Sequence, residues 1–382
     1  ITVSGVDTVV GTSGVNDVVT LGTTGALAVD RIDTVIGSTD STDALTLLSG
    51  GLVRVSDIES VIGDTTLTEV VQMLAAGTVG VSDIATVLGS TGTDQISLLA
   101  EGTLAVSGVE SVLGSTDTGN VPTLLGGGSV IVEDVDSIIG QAGQTETLTL
   151  AGTAASISVS AIDSVVGSTD TSESVTLLAS GNISLQDVEN LTGTGQTTDV
   201  ARLIGNGATL TVSDVASVIG STGTDVVTMA TGTLAVANVD TVIGSSGADV
   251  LTLNSAGAVA VSDVESIVGQ AGLTEVVTLE GSDAVVAESG VDTIIGTSGT
   301  GDHLTMGASG RLAVSAIESV TGSGSAQDVL SLLDNGATIS VDTLASVVGS
   351  TGTDVLTMAA GTLAVSGIET VVGSAGTDVL TL

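Results

Sequence analysis

The sequence predicts an all-β fold, a parallel β-solenoid, and three observations carry that prediction. The first is a period of about 26 residues: a glycine closing a short aliphatic run recurs at Gly11, Gly37, Gly63, Gly89, Gly114, Gly140, Gly167, Gly193, Gly220, Gly244, Gly269, Gly296, Gly322, Gly349 and Gly373. Self-similarity at such a period marks an array in which each unit buries its apolar face against its neighbours. The second is the absence of Phe, Tyr and Trp. A narrow interior stacks Val, Ile, Leu and Ala in columns, whereas a thick core takes its bulk from aromatic rings. The third is period-2 alternation of aliphatic residues in short segments bounded by Gly, Ser, Thr and Asp, the pattern of half-buried strands.

Taken in chain order, the repeat that ends the sequence shows what each position is for. Leu363 and Val365 face inward on a first strand, and Ile368 and Val371, five and two residues before Gly373, are also aliphatic. A spacing of three cannot stay in phase on one straight strand, so a bend falls between them. Gly373 opens a polar loop, Ser-Ala-Gly-Thr-Asp378, and Leu380 and Leu382 alternate on a third strand. The expectation is about 15 coils of roughly 26 residues with three short strands each, one continuous solenoid over residues 1–382. Right-handed crossovers dominate parallel pairings, which sets the expected hand.

A slower rhythm overlies the repeat. Four residues before the glycine the side chain is acidic in twelve units and alanine at Ala85, Ala216 and Ala345, five units apart. Together with Gly-Gln-Ala-Gly at 140 and 269, this divides the chain into five-coil blocks, 1–129, 130–258 and 259–382. Neither end shows an atypical polar unit, so the sequence is expected to continue or to stack end to end with further copies.

Composition narrows the partners. With 44 acidic residues against 4 arginines, and a formal charge of −40, the surface cannot neutralise a phosphate backbone, which excludes nucleic acid. No apolar run reaches the roughly 20 residues of a membrane span. Cysteine is absent, so there is neither a disulfide framework nor thiol chemistry. An acidic, Gly/Ser/Thr-rich chain of this kind suits an extracellular or cell-surface location, in a bacterium.

Acids fall at two places in the repeat. One series precedes the glycine (Asp33, Glu59, Glu110, Asp136, Asp163, Glu189 and their equivalents); the other follows the loop (Asp17, Asp43, Glu69, Asp94, Glu146, Glu173 and onward), with Asn120 as its exception. Read as stacked files about 5 Å apart, like charges would repel by roughly 1 kcal/mol per neighbour in water. Either cations hold them, since Ca²⁺ takes hard oxygen ligands, or their side chains bond local backbone N–H groups as turn residues do. Five loops carry a sharper signal: Gly89-Ser-Thr-Gly-Thr-Asp94, Gly220-Ser-Thr-Gly-Thr-Asp225, Gly244-Ser-Ser-Gly-Ala-Asp249, Gly349-Ser-Thr-Gly-Thr-Asp354 and Gly373-Ser-Ala-Gly-Thr-Asp378. They resemble the GGxGxDxUx nonapeptide of the RTX, hemolysin-type calcium-binding repeat proteins, which are large, secreted and bacterial. The resemblance implies Ca²⁺ at Asp94, Asp225, Asp249, Asp354 and Asp378. The second glycine of that nonapeptide is Ser here, ten loops are a residue longer, and the period is 26 rather than nine.

Two uncharged files complete the repeat. Thr20, Thr46, Thr123, Thr149, Thr176, Thr228, Thr252, Thr278, Thr305, Thr357 and Thr381 stand between inward aliphatics, as an outward β-branched file would. The residue before the glycine is aliphatic in thirteen units, and either faces outward as an apolar stripe or fills a wide corner. Pro122 falls where an inward aliphatic is expected and should remove a ladder hydrogen bond. His303 is the single histidine and has no nucleophile pattern around it. No unit breaks the repeat to gather Arg, Lys or paired acids in a cleft, so no catalytic residue is assigned and an enzyme is not expected. The functional expectation is a self-associating structural component of an extracellular fibre, surface layer or adhesin shaft, stiffened by calcium. Its alternatives are a calcium-dependent adhesin stalk whose binding domain lies outside this segment, with an unidentified glycan or surface ligand, and an ice- or surface-binding solenoid using the threonines.

Overall fold

A computed structural model describes residues 1–14, 16–39, 42–153, 155–170, 172–282 and 284–382. The chain divides into two units, Ile1–Asn190 and Leu191–Leu382. Each is a parallel β-solenoid, and no helix occurs among the described residues. The fold class is the one expected; the winding is not.

In the first unit the strand Ala26–Asp30 pairs with Ala44–Leu47, which pairs with Ser60–Ile62, which pairs with Gly77–Ser82. Every strand therefore stacks on the second strand after it, and a turn closes after two strands rather than three. Register partners Leu27↔Leu45, Leu45↔Val61 and Val61↔Val81 measure turns of 18, 16 and 20 residues. The second unit winds alike, with Leu234↔Leu251, Leu251↔Ile267 and Ile267↔Glu288. The chain makes about 21 turns, not 15. Three strands per repeat is right, but each repeat covers one and a half turns. The coil length of 26 residues is overturned for the same reason: the bends reverse the chain so sharply that two facing sheets close the winding.

The sharpness of one bend has a residue-level cause. Six positions before each marker glycine the backbone is left-handed in all fifteen repeats, with φ between 51° and 77°. Gly, Asp and Asn, the residues that tolerate this region, fill eleven of those positions; Arg31, Ala161, Ala316 and Thr343 fill the rest. The carbonyl of this residue then points at the glycine of the preceding repeat. A Cβ on Gly37 would lie 1.6 Å from the Asp57 oxygen, and one on Gly349 would lie 1.8 Å from the Gly367 oxygen. The nitrogen of Gly37 donates to the carbonyl beside that corner, Ser56 O, at 2.8 Å. The period-setting glycine is thus required by close approach of two stacked corners, not by its own dihedral freedom.

Inward columns form the core. Ile58 and Val61, five and two residues before Gly63, are 4 % and 0 % exposed, which confirms both the predicted columns and the bend between them. Each fully buried aliphatic of this size contributes roughly 1.5–3 kcal/mol relative to exposure. Pro122 is inward and partners Leu104. On its other side its strand keeps one register pair, Thr123↔Ile139, where equivalent ladders such as Gln95–Ser97 with Ser111–Leu113 keep three.

Candidate functional site: the buried corner carboxylates

The residue that follows the glycine loop is buried in thirteen of the fifteen repeats; Asp17 and Asp378 are half-buried. Asp43, Glu69, Asp94, Asn120, Glu146, Glu173, Asp199, Asp225, Asp249, Glu275, Asp302, Asp328 and Asp354 are at most 1 % exposed. Asp43, Asp94, Asp225, Asp249, Asp302 and Asp354 are held by backbone donors from two levels of the winding. In Asp94, Oδ2 accepts the N–H of Ser90 at 2.5 Å and its hydroxyl at 2.9 Å, while Oδ1 accepts the N–H of Gly77 from the turn below at 3.2 Å. Its own N–H donates upward to Glu110 Oε2 at 2.8 Å. Three successive levels are tied at one residue.

The other loops that resemble the calcium nonapeptide are built alike. Asp225 accepts from Ser221 N at 2.5 Å and Ala208 N at 2.9 Å; Asp249 from Ser245 N at 2.6 Å and Gly232 N at 2.9 Å; Asp354 from Ser350 N at 2.6 Å and Ala337 N at 2.7 Å. Asp378, in the last turn of the chain, accepts only from Ser374, through its N–H at 2.8 Å and its hydroxyl at 2.9 Å. These five side chains lie in separate corners, and each is directed at its own backbone. Among the described residues no three His, Cys, Asp or Glu side chains group as a metal-holding set.

The two acid series are one network. The N–H of the post-loop residue donates to the pre-glycine acid one turn on, as in Asp17 to Asp33 (2.8 Å), Asp43 to Glu59 (2.7 Å), Asn120 to Asp136 (2.9 Å) and Asp302 to Glu318 (3.0 Å). Equivalent acids of successive repeats belong to opposite sheets, so the like-charge files do not form. The alanines of the slower rhythm fit the same scheme. Opposite Ala216 and Ala345 no acid is present, and the N–H groups of Asp199 and Asp328 turn to their own loops, bonding Gln196 O and Ser325 O at 3.2 Å.

Donor supply decides the charge state. For Asp354 burial raises the carboxyl pKa, but donors from Ala337, Ser350 and Gly336 outweigh it and leave it below the ordinary carboxylate range. Asp136 is lowered chiefly by the Asn120 N–H. Glutamate at the post-loop position behaves differently. Glu69, Glu146, Glu173 and Glu275 use Oε1 on a loop N–H, for example Gln141 N to Glu146 at 3.1 Å, and Oε2 is buried with no donor. Below three of them the N–H that would serve Asp is taken by a carbonyl: Gly51 by Thr68 O, Gly128 by Thr145 O and Gly257 by Thr274 O.

One buried acid belongs to neither series. Glu288 stands eight residues before Gly296, where the other repeats place Val or, once, Leu185 inside the core. It is 2 % exposed, sits between Ile267 and Met306 in register, and its Oε2 receives only the Val291 N–H at 3.3 Å. Burial, with a contribution from the Asp328 charge, raises its pKa to about 7. Reading the inward column position by position exposes this residue in the sequence; looking only for acid files does not.

The remaining candidates are outward. The residue before the glycine is half-buried or exposed in every repeat, which selects the outward reading. Neither it nor the threonines make an unbroken file: Thr20 lies between Thr2 and Ile36, and Thr46 between Ala28 and Ile62, on the opposite sheet. His303 pairs its Nδ1 with the Ser319 hydroxyl at 2.9 Å. Arg31 makes an exposed ion pair with Asp30 at 3.1 Å, worth little at such a surface. No helix of the described residues is long and apolar enough to cross a membrane. No family model, no curated protein and no solved structure matches this chain.

Proposed function

We propose that the chain is a structural winding of an extracellular fibre, surface layer or adhesin shaft, bacterial in origin and assembling with further copies of itself. The observation that carries this reading is where the repeated residues spend their contacts. In fourteen repeats the marker glycine abuts the corner of the next repeat, and buried Asp corners such as Asp94 bond the turns above and below. What is held constant along the chain serves stacking of turns, and what varies faces out. A self-supporting winding whose outer face is free to vary is what a shaft or layer subunit requires. Electron micrographs of the native material test the reading: axial or lateral packing of rods supports it, and isolated rods that stay monodisperse at high concentration remove it.

Calcium stiffening is a separate proposal, decided by chelation. A fall in thermal midpoint in chelator at low salt, restored by Ca²⁺, would place ions in the corners; an unchanged midpoint removes them.

A further inference from the structure

We propose that Glu146 with Asp163, and Glu173 with Glu189, form two shared-proton sites, each holding one proton between facing carboxyl groups of adjacent turns and binding those turns more firmly at mildly acid than at neutral pH. The inference goes beyond a structural role, because it makes the winding responsive to its surroundings. It rests first on geometry. Glu146 N–H donates to Asp163 Oδ2 at 3.0 Å and Glu173 N–H to Glu189 Oε2 at 2.9 Å, so each partner carboxyl is anchored beside the buried glutamate. The glutamate oxygen not used on the loop, Oε2, is buried and receives no donor in either residue.

A buried carboxylate oxygen without a donor is costly, and one facing a second carboxylate is costlier still. A single proton removes both costs: one carboxyl donates an O–H to the other, and the pair carries one negative charge instead of two. The Asp corners cannot do this, because Asp94 and Asp354 have donors on both oxygens. The charged group in their loops is the exposed Asp170, whose N–H bonds the Ser168 hydroxyl. Below Glu146, the strand Gly128–Glu133 brings an acid only at its far end; below Glu173, Ser156–Ser160 carries no charge. The charged groups acting on the two glutamates are Asp163 and Glu189, respectively. Burial, reinforced by the facing acid, holds Glu146 and Glu189 above the ordinary glutamate value of 4.5, while Glu173 is lowered: it is buried too, but the bonds from Glu189 and Ser168 win. A pair that shares a proton titrates in two separated steps. Between the raised step and 4.5 the folded chain binds more protons than the unfolded one, so stability grows as pH falls from neutral toward that value. Below it the lowered group reverses the trend.

The test uses the full chain with Glu288→Gln and Glu275→Gln as background, so that neither the core carboxyl nor the like-built corner at Glu275 and Asp292 contributes, and with chelator present except where Ca²⁺ is added. The thermal midpoint of this background is expected to rise by several degrees between pH 7.5 and about 5. Adding Asp163→Asn and Glu189→Gln, which replace one carboxyl of each pair by an amide donor, should raise the midpoint at pH 7.5 toward the acid value and flatten the profile. A profile that keeps its slope in the substituted chain overturns the proposal. So does a midpoint at pH 7.5 that Ca²⁺ raises and the two substitutions render insensitive, since the pairs would then hold a cation. Should the substituted chain not fold, the infrared band of protonated carboxyl in the background protein decides: the proposal requires it to persist in the folded chain above pH 6 and to vanish on unfolding.

Discussion

Asp354 and Glu288 are equally shut off from solvent, at 0 % and 2 % exposure, yet their carboxyls are displaced in opposite directions. Asp354 is covered by a loop whose N–H groups point at it; Glu288 is covered by aliphatic side chains and one distant N–H. Burial raises the pKa of both, and only at the corner do donors reverse the sign. In this solenoid a carboxylate is a structural fastener where backbone N–H groups converge and a liability where they do not.

The hardest way to break that contrast is to spoil the corner itself. Gly349→Ala would place a Cβ 1.8 Å from the Gly367 carbonyl and 2.7 Å from Asp354 Oδ2. Since backbone rather than a flexible side chain must yield, we expect a loss of at least about 3 kcal/mol in denaturant unfolding; a loss below about 1 kcal/mol would mean that the stacked corners are not rigid. Next in size is Asp354→Ala, which strips the acceptor from Ala337 N and Ser350 N. Unmet buried donors cost about 1–3 kcal/mol each, so a fall of roughly 3 kcal/mol is expected, with Asp354→Asn milder because it keeps one acceptor oxygen.

At Glu288 the sign inverts. Its folded pKa of about 7 lies above the ordinary 4.5. Its contribution to stability is therefore fully present below 4.5, is lost as pH rises to 7, and falls no further above. The displacement corresponds to about 3 kcal/mol. Glu288→Val should stabilise the chain by about that amount at pH 8, and by much less at pH 4.5. An equal gain at both pH values would show that packing, not ionisation, separates the two residues. The smallest effect belongs to the left-handed corners that lack Gly, Asn or Asp. Ala316→Gly and Ala161→Gly should each raise stability by up to about 1 kcal/mol, the relief of φ 52° and 55° being partly offset by glycine's greater unfolded freedom. A loss at either site would show that the side chain there contributes a contact.

Much of this was legible before any coordinates. The period, the inward pair typified by Ile58 and Val61, and the bend between them follow from side-chain spacing, which the strand geometry translates directly. Turn closure was not legible, because it depends on how far a corner rotates the chain; the recurrence of Gly, Asp and Asn six residues before the glycine was the available hint. That the corner acids bond local backbone N–H groups, as Asp94 does with Ser90, is one of the two readings that turn chemistry offers; that Asp94 also reaches Gly77 in the turn below is not legible, because no side-chain pattern records which turn lies beneath. The stacking of equivalent positions failed for the same reason as the turn count: Ile36 neighbours Thr20 and Ser56, not another repeat's isoleucine.

A motif of three strands laid on a winding of two has a consequence for how such a surface evolves. Whatever a repeat displays, the next repeat displays on the reverse side, and the same side sees it again only after three strand spacings, about 14 Å. Copying an even number of repeats would therefore prolong a pattern on its own side, whereas copying five, the spacing of the alanines, would transpose it to the other. Within the first unit Val18–Leu21 and its five-repeat counterpart Glu146–Leu150 lie in different sheets. Odd-numbered duplication thus turns a one-sided decoration into a two-sided one without a single substitution.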